Sequence, residues 1–248
     1  MTSKNIKTVL ITGASRGIGK AIAIKFAKEG FVNIIITGNQ SIAKLNNLKL
    51  LLEEAYDCNC LSFIGDIGDY QNAVALYNQI QAKYKGIDIL INNAGICHMG
   101  LLEDMTIEEW NHIIQTNLTS VFNCSKLAIP HMVRNKSGKI INISSVWGIC
   151  GASCEVAYST SKGGINAFTK ALGKELAPSN IQVNAIACGV IDTSMNSFLT
   201  KEERVSLIEE IPTDRIARPE EVADFVYDLA VGHSYLTSQV IQFDGGFL

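Results

Sequence analysis

The sequence predicts an α/β domain built on a parallel β-sheet, and three observations carry that prediction. An apolar run rich in β-branched residues, Thr8–Thr12, leads through a glycine-rich turn directly into a helical pattern. Short runs of the same kind then alternate with helical patterns to the end of the chain. Each strand closes on small or polar residues, which places the ligand cleft of such a sheet along the strands' carboxyl edge. With 248 residues, 47% of them hydrophobic, the chain can bury the core of one large domain, and no linker, repeat or low-complexity tract divides it.

In the first unit, Gly13, Gly17 and Gly19 stand between the strand and the helical residues Ile18, Ile22 and Phe26. Glycines there permit a tight turn and a close approach of backbone to a pyrophosphate, while the helix N-terminus offers free N–H groups to its charge. Asn33–Thr37 is the second strand, completing a βαβ unit of about thirty residues, the length of a mononucleotide-binding half. At its end, Gly38-Asn39 stands where a carboxylate would select NAD by holding the adenine-ribose 2′-hydroxyl. No acid is there to repel a 2′-phosphate, and Arg16 in the glycine turn could pair with one. The charge pattern therefore favours NADP over NAD; an Arg16 that merely faces solvent is the alternative.

Ile42–Tyr56 carries Leu45, Leu48, Leu51 and Leu52 at helical spacing, and Leu61–Asp66 is the third strand. Asp66, at its carboxyl end, either borders an adenine site or caps the following helix. Ala73–Tyr84 is helical. Ile87–Ile91 is the fourth strand, followed by Asn92-Asn93-Ala94-Gly95, two amides and a glycine suited to a turn that closes one wall of a cofactor cleft. Met105–Arg134 predicts one long helix with Asn117 among apolar neighbours, a costly place for an amide that is not hydrogen-bonded. Lys139–Ser144 is the fifth strand, with Ser145 just past its end. A helix through Tyr158, Lys162, Phe168 and Leu172 runs to about Ala177, and the sixth strand is Ile181–Ala187. A turn from Cys188-Gly189 to Thr193 leads into helical stretches of poor regularity between Asn196 and Ile216, so that about 190–217 has the profile of a mobile substrate lid. Arg218-Pro219-Glu220-Glu221 opens a further helix, proline being favoured in a first turn, and Gln239–Phe243 is the last strand.

Tyr158 and Lys162, four residues apart on one helix, share a face. A phenol with an ordinary pKa of about 10 exchanges protons poorly near neutrality unless a neighbouring cation stabilises its phenolate, and Lys162 is placed to do so. Solvated surface pairs show the same spacing, so this pair takes its weight from the motifs around it. Net charge is -3, with Lys and Arg scattered, which argues against a nucleic-acid or anionic-membrane surface. The N-terminal Met1–Lys7 is polar, and no segment approaches the roughly 20 apolar residues of a membrane span. Seven cysteines, an odd number, fit reduced thiols in a cytoplasmic protein better than a disulfide framework. Cys58 with Cys60, and Cys97 with His98, lack a second pair at ligand spacing, so no metal is expected; the expected partner is a small molecule.

With these motifs in this order, the chain resembles the short-chain dehydrogenases/reductases over nearly its whole length. Thr12–Gly19 is similar to that family's cofactor turn, Asn92–Gly95 to its second structural motif, and Asn117, Ser145, Tyr158 and Lys162 to its catalytic tetrad. The resemblance implies a single domain with a doubly wound, seven-stranded parallel sheet of the Rossmann type, assembled as a homotetramer. It implies hydride transfer between a nicotinamide and a carbonyl carbon, with Tyr158 the general acid in reduction and Ser145 donating a hydrogen bond to the same oxygen. Lys162 would lower the tyrosine pKa and hold ribose hydroxyls, and Asn117 would bind a water linking Lys162 to solvent. Cofactor contacts are implied for Gly13, Ser15, Arg16, Gly17, Ile18 and Gly19, for Asn39, Asp66 and Ile67, for Asn93, Ala94 and Gly95, for Tyr158 and Lys162, and for Gly189, Ile191 and Thr193.

Within the family, Ala14–Gly19, Asn184–Ala187 and Arg218–Val222 are most similar to bacterial 3-oxoacyl-carrier-protein reductases of fatty acid biosynthesis. That implies NADPH-dependent reduction of a 3-oxoacyl thioester; the alternatives are a dehydrogenase of a hydroxysteroid or polyol, and a nucleotide-binding scaffold without turnover. Two features depart from the pattern. Cys188-Gly189 replaces the usual Pro-Gly, which should loosen the loop that follows. Of two basic positions that would hold an acidic acyl-carrier protein, Lys136 fits one and Ser179 occupies the other, leaving that partner open. Trp147, Cys150, Cys154 and Met195 would line an apolar pocket for an acyl chain, a steroid or another hydrophobic ketone, or would pack against a neighbouring subunit.

Overall fold

A computed structural model describes residues 7–197 and 199–248. Its seven strands are β1 (Thr8–Ile11), β2 (Asn33–Gly38), β3 (Asn59–Ile64), β4 (Ile89–Asn92), β5 (Gly138–Ser145), β6 (Ile181–Cys188) and β7 (Val240–Phe243). They form one sheet in the order β3-β2-β1-β4-β5-β6-β7, and every neighbouring pair is parallel. The chain winds outward from β1 through β2 and β3, then returns to β4 beside β1 and winds the other way. That reversal leaves a crevice between β1 and β4 at their carboxyl ends.

Strand periodicity divides the core between two faces. Val9, Ile11, Ile34 and Ile36 pack with Ile22 and Phe26 of α1 (Gly17–Lys28), Leu45 of α2 (Ile42–Tyr56) and Val222 and Val226 of α9 (Pro219–Val231). The intervening Leu10, Ile35 and Leu90 pack with Leu76 of α3 (Tyr70–Tyr84), Met132 of α5 (Ser120–Asn135) and Leu172 of α7 (Val156–Leu176). Helices thus cover both faces, and only the strand ends remain open. Among the described residues no helix is long and apolar enough to cross a membrane.

Three local outcomes differ from the sequence reading, and at Asp66 one of its two alternatives is observed. Ser145 is the last residue of β5 rather than just beyond it, because it pairs with Cys188 of β6. The long helix expected over Met105–Arg134 is α4 (Ile107–Ile114) and α5 joined by a π turn, Gln115–Thr119, that contains Asn117. The helix cap after β3 is Asp69, which accepts from the N–H groups of Gln71 and Asn72; Asp66 faces the crevice instead. In the expected lid, Ser194–Asn196 forms a 3-10 turn and Lys201–Glu209 a regular helix, α8, started by a capping box between Thr200 and Glu203. Position 198 of that segment, like the N-terminal residues 1–6, lies outside the described residues.

Candidate active site

The floor of the crevice is knitted from strand-end polar groups. Thr12 Oγ1 accepts from the N–H groups of Asn93 and Ala94 at 2.9 and 3.0 Å. The Asn93 amide in turn donates to the Thr12 and Gly13 carbonyls at 2.9 and 3.1 Å. Gly13 is in the left-handed region at φ 64°, and a Cβ on it would lie 2.7 Å from Ala94 Cα, so only glycine lets the two turns meet. Gly19 was expected at the cofactor but is buried beneath the turn: a Cβ there would stand 2.5 Å from Asn93 Nδ2 and 2.6 Å from the Gly13 carbonyl. Its part is to let α1 sit close, not to line the cleft.

A cleft of about 410 Å³ opens above this floor, within the range of sites that enclose small-molecule ligands. Its wall includes Gly13, Ser15, Arg16, Gly17 and Ile18 of the turn, then Asn39, Asp66 and Ile67, and Asn93, Ala94 and Gly95. On the far side it includes Ser145, Tyr158, Lys162, Gly189, Ile191 and Thr193. The N-terminus of α1 has no side-chain cap, so its free N–H groups and the side-chain-free cradle fit a pyrophosphate. Arg16 is exposed on that wall beside Asn39, with only Thr37, Gly38, Gln40 and Ser41 around the end of β2. Asp66 accepts from Gly68 N at 2.8 Å and from Gln115 Nε2 at 3.3 Å, which holds it in the wall.

Ser145 is delivered by the end of β5, and its Oγ accepts from Trp147 N at 3.2 Å. Tyr158 and Lys162 come from the first turns of α7, which a row of buried polar contacts ties to the sheet. Asn142 Nδ2 donates to Thr169 Oγ1 at 2.8 Å, Ser144 Oγ to Asn166 Oδ1 at 2.6 Å, and Asn166 Nδ2 to the Gly148 carbonyl at 3.0 Å. None of Asn142, Ser144, Asn166 and Thr169 was marked as a site residue from the sequence, although each is a polar residue in an otherwise apolar stretch. Lys162 is only 4% exposed, and its Nζ donates to the Ile143 carbonyl at 2.9 Å and lies 5.5 Å from the centre of the Tyr158 ring. Burial pushes its ammonium down to about 8, against a smaller opposing pull from Cys188. The Tyr158 phenol is raised by burial, and its hydrogen bond with Ser145 offsets only part of that. The expected lowering of the phenol by Lys162 is not seen: burial dominates, and Tyr158 is held as a proton donor.

Asn117 is fully buried and stands behind the cleft rather than in its wall. Its Oδ1 accepts from Ile96 N at 2.8 Å, and its Nδ2 donates to the Ile96 carbonyl at 2.9 Å and to Ser161 Oγ at 3.0 Å. The amide that sequence reasoning marked as costly is thus satisfied, and it clamps the strand end at Gly95 and Ile96 to α7. Cys188 is buried, with its thiol pushed up to about 12 by burial. The missing proline does not loosen the backbone at that point, because Cys188 pairs with both Ser145 and Phe243, its carbonyl accepts from Val146 N, and Gly189 N donates to Phe243 O.

Of the four residues expected in a substrate pocket, Trp147 and Met195 line the cleft and Cys150 and Cys154 do not. The short helix α6 (Trp147–Cys150) stops at Gly151, φ 76°, and turns the chain outward. The exposed Cys150 thiol donates to the Val146 and Gly151 carbonyls, and Cys154 sits in a left-handed turn at φ 62°. Sequence reasoning missed Cys97, Met99, His112, Glu155 and Leu207, which complete this end of the wall. Glu155 had a signal, three residues before Tyr158. Lys136 and Ser179 precede the first residues of β5 and β6 and so lie at the amino edge of the sheet, a strand length of roughly 26 Å from Ser145.

A doubly wound parallel sheet whose reversal point gathers a glycine cradle, a serine, a buried tyrosine and a buried lysine defines an oxidoreductase acting on CH–OH groups. The chain belongs to the short chain dehydrogenase family, whose model matches residues 7–204. Its relatives include the 3-oxoacyl-(acyl-carrier-protein) reductase FabG of Thermotoga maritima, 40% identical over 245 residues that cover 98% of each chain. The enzyme of the same name from Chlamydia trachomatis is 39% identical over 241 residues, 97% of this chain and 96% of the relative. An uncharacterized oxidoreductase of Bacillus subtilis, YmfI, is 38% identical over 242 residues, 97% of this chain and 98% of the relative.

Proposed function

We propose that this protein reduces the ketone of a 3-oxoacyl thioester to a secondary alcohol, using NADPH. The carrying observation is that Ser145, Tyr158 and Lys162 share one cleft with Arg16 and an acid-free β2 end. When bound, the dinucleotide supplies the hydride that forms the new C–H bond. Tyr158 gives its proton to the carbonyl oxygen as charge develops there, and Ser145 donates a second hydrogen bond to that oxygen. Lys162, charged below about pH 8, holds the ribose hydroxyls and passes a proton back to the tyrosine. Asn117 keeps the Gly95 wall in place beside that amine, and the water-borne proton supply implied by the resemblance belongs to this proposal as well. Lys136 fits one of the two basic positions that would hold a carrier and Ser179 does not fit the other, so the group this proposal commits to is the thioester. The seven free thiols support a reducing, cytoplasmic setting. The homotetramer that the resemblance implies belongs to this proposal as well.

The test is NADPH oxidation with an acetoacetyl thioester beside steroid and sugar ketones. Turnover of the thioester at the highest kcat/KM of the set is expected, and inactivity on it removes this substrate class. In the same assay Arg16→Ala is expected to weaken NADPH roughly tenfold or more while changing NADH little, since a charge-assisted contact to a phosphate contributes about 1.5–3 kcal/mol. Equal losses for the two cofactors would show that Arg16 does not read the 2′-phosphate.

A further inference from the structure

One charged group in the catalytic cleft is used by nothing described so far. Glu155 precedes the first turn of α7 and lines the cleft one turn before Tyr158, on the same side of the helix. Helix starts usually put such a side chain to work as a cap, but Glu155 caps nothing. Its carboxylate makes no hydrogen bond and no ion pair among the described residues, although the residue is partly buried. The titratable groups around it are Cys97, whose thiol burial also raises, Tyr158 itself, and His112 across the wall. The cations of the same cleft, Lys162 and Arg16, make no ion pair with it among the described residues, so its carboxylate is left without a partner in the cleft one turn from Tyr158.

Resting on the reading that Tyr158 protonates a ketone, we propose that Glu155 sets the charge of the substrate. It excludes ketones that carry a carboxylate next to the reacting centre and accepts a hydrogen bond from neutral, donor-bearing ones. The oxygen of the ketone is fixed by Tyr158 and Ser145, so a group one carbon away from the carbonyl comes within several ångströms of Glu155. Two like charges at that separation, in a partly dry cleft, disfavour binding by roughly 10- to 100-fold. An ester, thioester or amide escapes that repulsion, and an amide N–H or hydroxyl gives the lone carboxylate the partner it lacks. The protein would thus take 3-oxo esters and thioesters and leave free 3-oxo acids. Burial raises Glu155 from its ordinary value, so the discrimination is expected to narrow as pH falls and the group takes up its proton.

The experiment compares kcat/KM for ethyl acetoacetate and acetoacetate, first in the unaltered enzyme across pH and then in Glu155→Gln and Glu155→Ser. The expected ester-to-acid ratio is about 100 in the unaltered enzyme at neutral pH. It falls at least tenfold in both variants and shrinks at acidic pH in the unaltered enzyme only. The pH series needs no variant to fold, and a merely structural role for Glu155 would not move the ratio. A ratio near one in the unaltered enzyme, turnover of neither compound, or a ratio unchanged in both variants overturns the proposal. Selectivity between ester and acid without activity on the thioester would remove the thioester reading and keep this one.

Discussion

Tyr158→Phe is expected to lower kcat for ketone reduction by about 10²–10⁴-fold while leaving the fold unchanged and dinucleotide affinity within about tenfold, the worth of one lost hydrogen bond. The substitution removes one oxygen. Tyr158 is 9% exposed, and its ring stays in place against α7 and the sheet, so packing changes little. What is lost is a proton donor: burial holds the phenol in its neutral form, and Ser145 alone can donate a hydrogen bond but cannot complete the alcohol. Steady-state NADPH oxidation, with nucleotide affinity followed by fluorescence, separates the two effects. A kcat within threefold of the parent would sink the assignment of Tyr158 as the acid. The pH profile carries a further expectation. Since the phenol stays protonated into the alkaline range, the fall of reduction at high pH is set by Lys162 as it loses its charge around pH 8.

Lys162→Met is expected to make the protein more stable and catalytically dead. An ammonium that is 4% exposed has been taken out of water, and among the described residues its only direct partner is the Ile143 carbonyl. Its folded value of about 8 lies below the ordinary 10.5, so the unfolded chain holds more protons than the folded one between those values. Stability therefore rises with pH across that window, and below pH 8 the full desolvation penalty is present, on the order of 3 kcal/mol. Methionine fills a similar volume without the charge. After allowing for the orphaned carbonyl, the expected net gain is about 1–2 kcal/mol, seen as a Tm several degrees higher at neutral pH. Loss of kcat by about 10²-fold or more should accompany it. A lower Tm for the methionine variant would show that the amine is better satisfied than its single hydrogen bond suggests.

Much of this site was legible in the chain. The glycine turn announces itself because Gly13 and Gly17 stand where strand must become helix with φ above zero, a demand few other residues meet. Tyr158 and Lys162 were visible because a helix converts a spacing of four into a shared face. Other features leave no such trace. A π turn such as Gln115–Thr119 adds one residue to a turn without altering the apolar pattern, so Met105–Arg134 reads as uninterrupted. Helix α8 buries none of its residues and has no apolar stripe to reveal it; only the Thr200–Glu203 pair marked its start. Cys150 and Cys154 lie in sequence between two cleft residues, yet neither lines the cleft, the first closing a one-turn helix and the second sitting in a left-handed turn. The reversal of the phenol's shift was hidden for a different reason. Spacing shows that an amine is near, whereas the balance between its charge and the dryness around it needs burial, which only the folded chain reveals.

The asymmetry between the two halves of the cleft has a consequence for how this chain can change. On one side, Thr12, Asn93 and glycines 13 and 19 are locked to one another so tightly that hardly any replacement is tolerated. On the other, α8 rests on the surface, and Arg204 reaches back to Asp192 through one exposed ion pair of 3.0 Å. Mutations along α8 are cheap and those in the glycine floor are ruinous. Descendants of this gene can therefore drift toward new diets while the dinucleotide cradle itself stays as it is.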